Sequence, residues 1–315
     1  MSELLERVRQ DGLLAAGRPV LVLLSGGRDS TCLLDVAVRI AGPDLVSALH
    51  VNYGLRDTAD ADEAHCRWLG RALGVVVHVR RPPAGSGNVQ AWAREARYQA
   101  AAELARPLGA DVAAGHTATD QVETILYRLA SSPSRRALLG MAPRDGHLIR
   151  PLLPFTREQT AGYCRQRGLA WREDESNQSD AYARGRVRER LLPALEAIHP
   201  AAVENVLALA EILRDEAAVL DALVDEVLEG RSEVELGRLR ALPAALQRLV
   251  LQRLADGAAG RPAPGTGRRA AEVAAMGQDA MLDLPHGVRA VTERGVLRFM
   301  RRTENAGRRP TSTHS

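Results

Sequence analysis

At 315 residues with 45% hydrophobic content, the chain is long enough for two domains with packed cores. Its 3% aromatic content leaves few side chains for stacking single-stranded bases, and all 42 basic residues are arginine, so no lysine of the chain can act as nucleophile or phosphate clamp. Cys32, Cys66 and Cys164 stand far apart with no C-x-x-C pair, which argues against a zinc or iron–sulfur site and fits reduced thiols in a cytoplasm.

The opening MSELLERVRQDG is charged and amphipathic without an apolar signal core, and no run reaches membrane-spanning length, so a soluble cytoplasmic protein is expected. Val20–Leu24 is an apolar run that reads as a strand covered on both faces. Ser25, Gly26 and Gly27 break it, and an apolar-periodic helix opens at Ser30-Thr31. Strand, glycine turn and helix N-terminus make an anion site, because glycines let backbone N–H groups crowd a phosphate and the helix dipole favours negative charge. The loop SGGRDS does not fit the Walker A pattern and carries Asp29 where phosphates would sit. A carboxylate beside a polyphosphate needs a bridging divalent cation, so Asp29 implies Mg²⁺.

Leu45–Val51 and Val75–Val79 read as strands, Asp60–Leu73 and Val89–Leu108 as helices, Val112–Ala114 as a short strand and Asp120–Leu129 as a helix. Alternation at this spacing predicts an α/β fold with a doubly wound parallel sheet and a smaller, mostly helical C-terminal domain. Ligands in such sheets bind beyond the carboxyl ends of the strands, where Ser25, Asn52 and Gly115-His116 fall. In GHTATDQVET, His116, Asp120 and Glu123 are spaced i, i+4 and i+7, which on a helix places them on one face to hold Mg²⁺, orient a substrate or move protons.

Pro151 and Pro154 bracket an edge-like segment, and Thr156 with Gln159 forms a capping box ahead of a helix through Cys164. WREDESNQSDAYARGRVRER follows at 171–190, with a polar loop containing Asp174 and Asn177 and then Arg184, Arg186, Arg188 and Arg190. Arg184 and Arg188 are four apart on a helix, a spacing that suits two phosphate-gripping forks and equally an exposed basic face. Residues 128–190 hold thirteen Arg against seven acids, whereas 200–260 hold six against eleven, a basic sector that suits an enzyme acting on nucleic acid. Ala201–Glu229 is an acidic helical stretch, Gly257–Gly267 a linker or loop, and Met281–Met300 short strands around two turns. The divisions expected are a catalytic domain 1–195, a substrate-binding domain 196–305 and a disordered tail 306–315.

SGGRDS, HVNYGLR at 50–56, AREARY at 93–98, GHTATDQVET and REDESNQSDAYARGRVR resemble, in the same order, the motifs of the tRNA(Ile)-lysidine synthases, a family of PP-loop ATP pyrophosphatases. The resemblance is dense over about 18–193 and looser beyond, chiefly through LDLPHGVRAVTERGVLRF. Three positions depart from the family pattern: Thr119 stands where the first of two aspartates is usual, Tyr53 replaces a histidine, and Gly185 replaces an asparagine. The resemblance implies conversion of the wobble cytidine of CAU-anticodon tRNA(Ile) to lysidine with ATP, Mg²⁺ and free L-lysine, with a homodimer as one assembly to expect. It implies Ser25, Gly26, Gly27, Arg28 and Ser30 at the pyrophosphate end of ATP, Asp29 and Asp120 on metal, and His50 and Asn52 near the adenosine. Glu123 and His116 would support catalysis, with Asp120 or Glu123 a candidate base for the amine. Arg94, Arg97, Asp174, Asn177, Arg184 and Arg188 would meet tRNA or phosphates. Two rival readings are a tRNA thiolation enzyme on the same loop, which needs a sulfur-carrying cysteine, and a non-catalytic tRNA-binding relative.

Overall fold

A computed structural model describes residues 2–85, 87–132, 135–172 and 183–302, except for the side chain of Arg184. The expected tail 306–315 lies outside them. The chain divides into two compact units, residues 1–131 with 137–210, and residues 132–136 with 211–315.

The first unit is built on a six-stranded sheet. Helix α1 (Glu3–Gln10) leads into β1 (Val20–Leu23), α2 (Arg28–Ala41), β2 (Val46–Val51), α3 (Ala59–Leu73) and β3 (Val76–Arg80). Then come α4 (Val89–Ala105), β4 (Asp111–Ala113), α5 (Ala118–Ser131), the short β5 (Arg144–Asp145) and β6 (Leu148–Ile149), and α6 (Arg157–Arg167). The strand order is β3-β2-β1-β4-β6-β5, all parallel except the β5 edge. All four residues of β1 are buried because both sheet faces are covered. Val20 and Val22 face a core with Leu33, Leu34, Leu69 and Leu152, while Leu21 and Leu23 face one with Ala101 and Val112. Each fully buried leucine contributes about 2 kcal/mol to this packing.

Successive strands run outward from β1 in one direction through β2 and β3, and in the other through β4 and β6. The direction reverses between β1 and β4, and there the connections leave a crevice at the carboxyl ends of the strands. The segment between Pro151 and Pro154 is a run of turns rather than an edge strand; the edge is β5, paired to β6, just before it.

The first unit ends with α7 (Ala183–Arg186), a π-helical turn over Val187–Leu191 and α8 (Leu192–Ile198). Helix α9 (Ala202–Leu228) contains the dividing point between the units. The second unit has β7 (Glu233–Glu235), α10 (Leu236–Ala241), α11 (Ala244–Ala259), α12 (Ala270–Ala274), β8 (Met281–Leu284), β9 (Val288–Glu293) and β10 (Val296–Arg301). Its antiparallel sheet has the order β7-β10-β9-β8 and packs Ala290 and Leu297 with Leu239, Leu251 and Leu254. Of the linker or loop expected at 257–267, the structure has the loop, and it is pinned. Helix α11 continues into it, the Ala263 N–H donates to Asp256 Oδ1 at 2.7 Å, and the Gln252 amide donates to the Ala263 carbonyl at 2.7 Å.

Candidate active site at the crevice

Ser25, Gly26 and Gly27 follow β1 and lead into α2. Gly26 has φ +85°, and a Cβ there would stand 3.1 Å from Cys66 Sγ, so backbone conformation and space both require glycine. Ser30 Oγ donates to the Gly27 carbonyl at 2.9 Å and accepts from the Ser25 N–H at 3.2 Å, which fixes the turn. No side chain caps α2, so the first-turn N–H groups are left for an anion. Helix α2 starts two residues before Ser30, which puts Arg28 and Asp29 in its first turn. The Asp29 carboxylate takes hydrogen bonds from Arg28 Nε at 3.0 Å and Thr160 Oγ1 at 2.5 Å, with Arg157 Nε at 3.9 Å.

Gly115 and His116 follow β4. A Cβ on Gly115 would lie 3.1 Å from the Asp29 carbonyl group and 3.2 Å from the Ser30 nitrogen. His116 precedes α5 rather than lying on it, so the expected helical face of His116, Asp120 and Glu123 does not form. The reason is local: Asp120 Oδ2 accepts from both the N–H and Oγ1 of Thr117 at 2.8 Å, and that closes the first turn after His116. Asp120 Oδ1 accepts from Arg157 Nη2 at 3.0 Å. Burial pushes the Asp120 carboxyl up, but Arg157, the Thr117 N–H and His116 outweigh it and leave it below its ordinary value. His116 falls to about 4, chiefly through burial, with Arg150, Arg97 and Arg94 opposing the pull of Asp120; its Nδ1 has no hydrogen-bond partner. Glu123, 3% exposed, receives Arg188 through Nε at 2.6 Å and Nη2 at 2.9 Å.

His50, at the end of β2, shares a hydrogen bond of 2.9 Å between Nδ1 and the Leu24 carbonyl, and its buried Nε2 is unpartnered. Asn52 is directed elsewhere. Its amide donates to Asp60 Oδ1 at 2.9 Å and Glu63 Oε2 at 3.0 Å. That amide, with Arg81 and Arg67, holds Glu63 down to about 2 against the effect of burial. On α4, Arg94 and Arg97 lie over the Tyr98 ring at 4.8 and 5.4 Å and pair with no carboxylate among the described residues. Arg150, 5% exposed, donates to the Ala142 carbonyl at 2.6 Å and keeps a buried, unpartnered Nε.

The Arg172 N–H donates to the Gly26 carbonyl at 3.0 Å, and its side chain pairs with Asp62. The start of the segment at 171–190 is therefore tied to the phosphate loop. Asp174 and Asn177 lie outside the described residues, as does the Arg184 side chain. The expected helical i, i+4 spacing to Arg188 is interrupted, because α7 passes into the π-helical turn, and Arg188 is committed to Glu123. Sequence reasoning missed Arg150, Arg157, Thr160 and Arg172. Arg157 follows the Thr156 cap, and the full capping box with Gln159 is present, so its position on the first turn was available; its partners were not.

Asp29 and Asp120 converge on one guanidinium, so their carboxylates fit a shared cation. Among the described residues no group of three or more His, Cys, Asp and Glu forms a self-sufficient metal cage. Mg²⁺ needs none, since one or two carboxylates with substrate phosphates and waters suffice. No helix among the described residues is long and apolar enough to cross a membrane.

Residues 2–195 match the PP-loop domain family. The tRNA(Ile)-lysidine synthase of Symbiobacterium thermophilum is 36% identical over 95% of this chain and 69% of its own length. That of Salinispora arenicola is 36% identical over 89% of this chain and 90% of its own, and that of Chromobacterium violaceum 39% identical over 84% and 64%. The U34-tRNA thiolase NcsA of Methanococcus maripaludis superposes with a TM-score of 0.56 at 15% identity, over 67% of this chain and 79% of that one, a likeness of fold alone. With the phosphate loop, the GHTATDQVET acids and the start of the segment at 171–190 joined at one crevice, the chain belongs to the tRNA(Ile)-lysidine synthase family and carries its PP-loop domain.

Proposed function

We propose that the chain ligates free L-lysine to C2 of the wobble cytidine of CAU-anticodon tRNA(Ile), through an adenylated cytidine, with release of AMP and pyrophosphate. The observation that carries this reading is the meeting of three distant segments on the phosphate loop. Gly115 abuts the Asp29 backbone, Arg157 spans Asp29 and Asp120, and the Arg172 N–H holds the Gly26 carbonyl.

The oxygen on C2 of cytosine is a poor leaving group, so an amine cannot displace it until adenylation makes AMP the group that leaves. Ser25, Gly26, Gly27 and Ser30, with the uncapped start of α2, would receive the phosphates, with Arg28 beside them. Asp29 and Asp120 would hold Mg²⁺, which when bound neutralises phosphate charge as pyrophosphate departs. Arg94 and Arg97, free of internal ion pairs among the described residues, would take phosphates of ATP or tRNA. His50 would serve the adenosine through its buried, unpartnered Nε2, while Asn52 acts at one remove by fixing Glu63 and Asp60.

The lysine ε-amine must attack in its neutral form. Asp120 and Glu123 are already engaged by Arg157 and Arg188; His116, neutral at pH 7, would accept a hydrogen bond from the amine through its buried, unpartnered Nδ1. The thiolation reading finds no support here, because Cys32, Cys66 and Cys164 are all buried. The test is a pyrophosphate-release assay with labelled lysine and a tRNA(Ile) transcript. Incorporation that depends on ATP, lysine and the CAU anticodon is expected, and its absence with folded protein would refute the reading.

A further inference from the structure

The guanidinium of Arg157 lies among three carboxylates: Asp120 Oδ1 at 3.0 Å, and Asp29 Oδ2 and Glu123 Oε1 each at 3.9 Å. Its Nη2 donates a hydrogen bond to Asp120, but its Nε is buried and makes none, so one donor is left unused. We propose that Arg157 is a built-in counter-ion that occupies the cation seat of the phosphate loop in the nucleotide-free protein, so that divalent metal enters with ATP and not before it. The proposal rests on the reading of Asp29 and Asp120 as metal-holding groups.

Charge balance supports it. Asp29, Asp120 and Glu123 are matched by Arg28, Arg157 and Arg188, which leaves no excess negative charge to draw a dication. ATP changes this balance, because its phosphates add negative charge to the seat and offer Arg157 a new bidentate partner. The backbone of Arg157 has little freedom to follow. The Thr156–Gln159 capping box fixes the start of α6, the Ala118 N–H donates to the Phe155 carbonyl at 2.8 Å, and Tyr163 Oη donates to Asp35 on α2 at 2.5 Å. Thr160 Oγ1, one turn on, donates to Asp29 itself. The helix stays while the long side chain swings, which makes Arg157 a positioning residue with two stations.

The probe is Mn²⁺, followed by the loss of its free-ion spin-resonance signal on titration into the full-length protein without nucleotide. Wild type should bind weakly. R157Q should bind at least about tenfold more tightly, R157K should remain weak because it keeps the charge, and D29N placed on R157Q should remove the gain. An R157Q protein with native circular dichroism and unchanged Mn²⁺ affinity overturns the proposal. A second measurement uses wild type alone: Mn²⁺ taken up as tightly without ATP as with it also overturns it. The metal reading is separable, since it fails if protein-bound Mn²⁺ in the presence of ATP is unaffected by D29N, whereas a failure of R157Q alone leaves it standing.

Discussion

Glu123 and Arg188 are joined by two charge-assisted hydrogen bonds of 2.6 and 2.9 Å, and Glu123 is almost wholly removed from water. The pair links α5 to the π-helical turn after α7, beside a small core of Val122, Leu126, Val187 and Leu192. Removing Arg188 would leave a buried carboxylate with only the more distant Arg157 for compensation. We expect Arg188→Ala to lower the unfolding free energy by about 3 kcal/mol, measured by urea titration. A variant with unchanged stability and reduced tRNA affinity would instead make Arg188 a direct RNA contact.

Asp29 sits in the first turn of α2 with three partners, none of which its amide analogue would pair with as a charge. Asp29→Asn should abolish ATP-dependent lysine incorporation while the circular dichroism spectrum and melting temperature stay close to wild type. Turnover within a few-fold of wild type would remove Asp29 from the metal site.

The parallel sheet and the phosphate loop were legible because they are local. A continuous apolar strand, two glycines and a helix start are adjacent in sequence, and the alternation around them sets the topology. The capping box at Thr156 and Gln159 was legible for the same reason. The partners of the acids were not. Arg157 meets Asp29 and Asp120 across 128 and 37 residues of sequence, through packing of α6 on α2 that no short-range pattern encodes. His116 was misplaced onto a helix because spacing alone does not reveal that Asp120 turns back to Thr117 and starts the helix later. Composition left 257–267 as a linker or loop, and its order comes from Asp256 and Gln252, side chains outside the glycine- and proline-rich stretch that bond to the Ala263 backbone.

Gly115 is the point where the β4 connection touches the phosphate loop. A methyl group there would press on the backbone of Asp29 and Ser30 at 3.1–3.2 Å, and neither backbone can yield without moving the loop. Gly115→Ala should therefore destabilise by about 1–2 kcal/mol and weaken ATP binding by more than this loss of stability explains. Titration with a fluorescent ATP analogue, below the unfolding transition, would test the second effect; unaltered affinity would show that the loop relaxes freely.

His116 gives the fold a pH dependence with a defined sign. Burial, together with Arg150, Arg97 and Arg94, holds it at about 4 in the folded protein against an ordinary value of 6.5, and Asp120 only partly offsets them. Between these values the unfolded chain binds the proton and the folded chain does not. Its contribution is therefore fully present above pH 6.5 and is lost as the pH falls toward 4. After discounting for partial exposure, the loss across that window is about 2 kcal/mol. His116→Gln cannot titrate, so its urea-unfolding free energy should fall less steeply than wild type between pH 6.5 and 4.5. The two curves should converge on acidification, even if the variant is the less stable protein at pH 7. Parallel curves throughout the window would mean that His116 is protonated as readily in the folded crevice as in the unfolded chain, and burial in the crevice would then not be what holds the imidazole neutral.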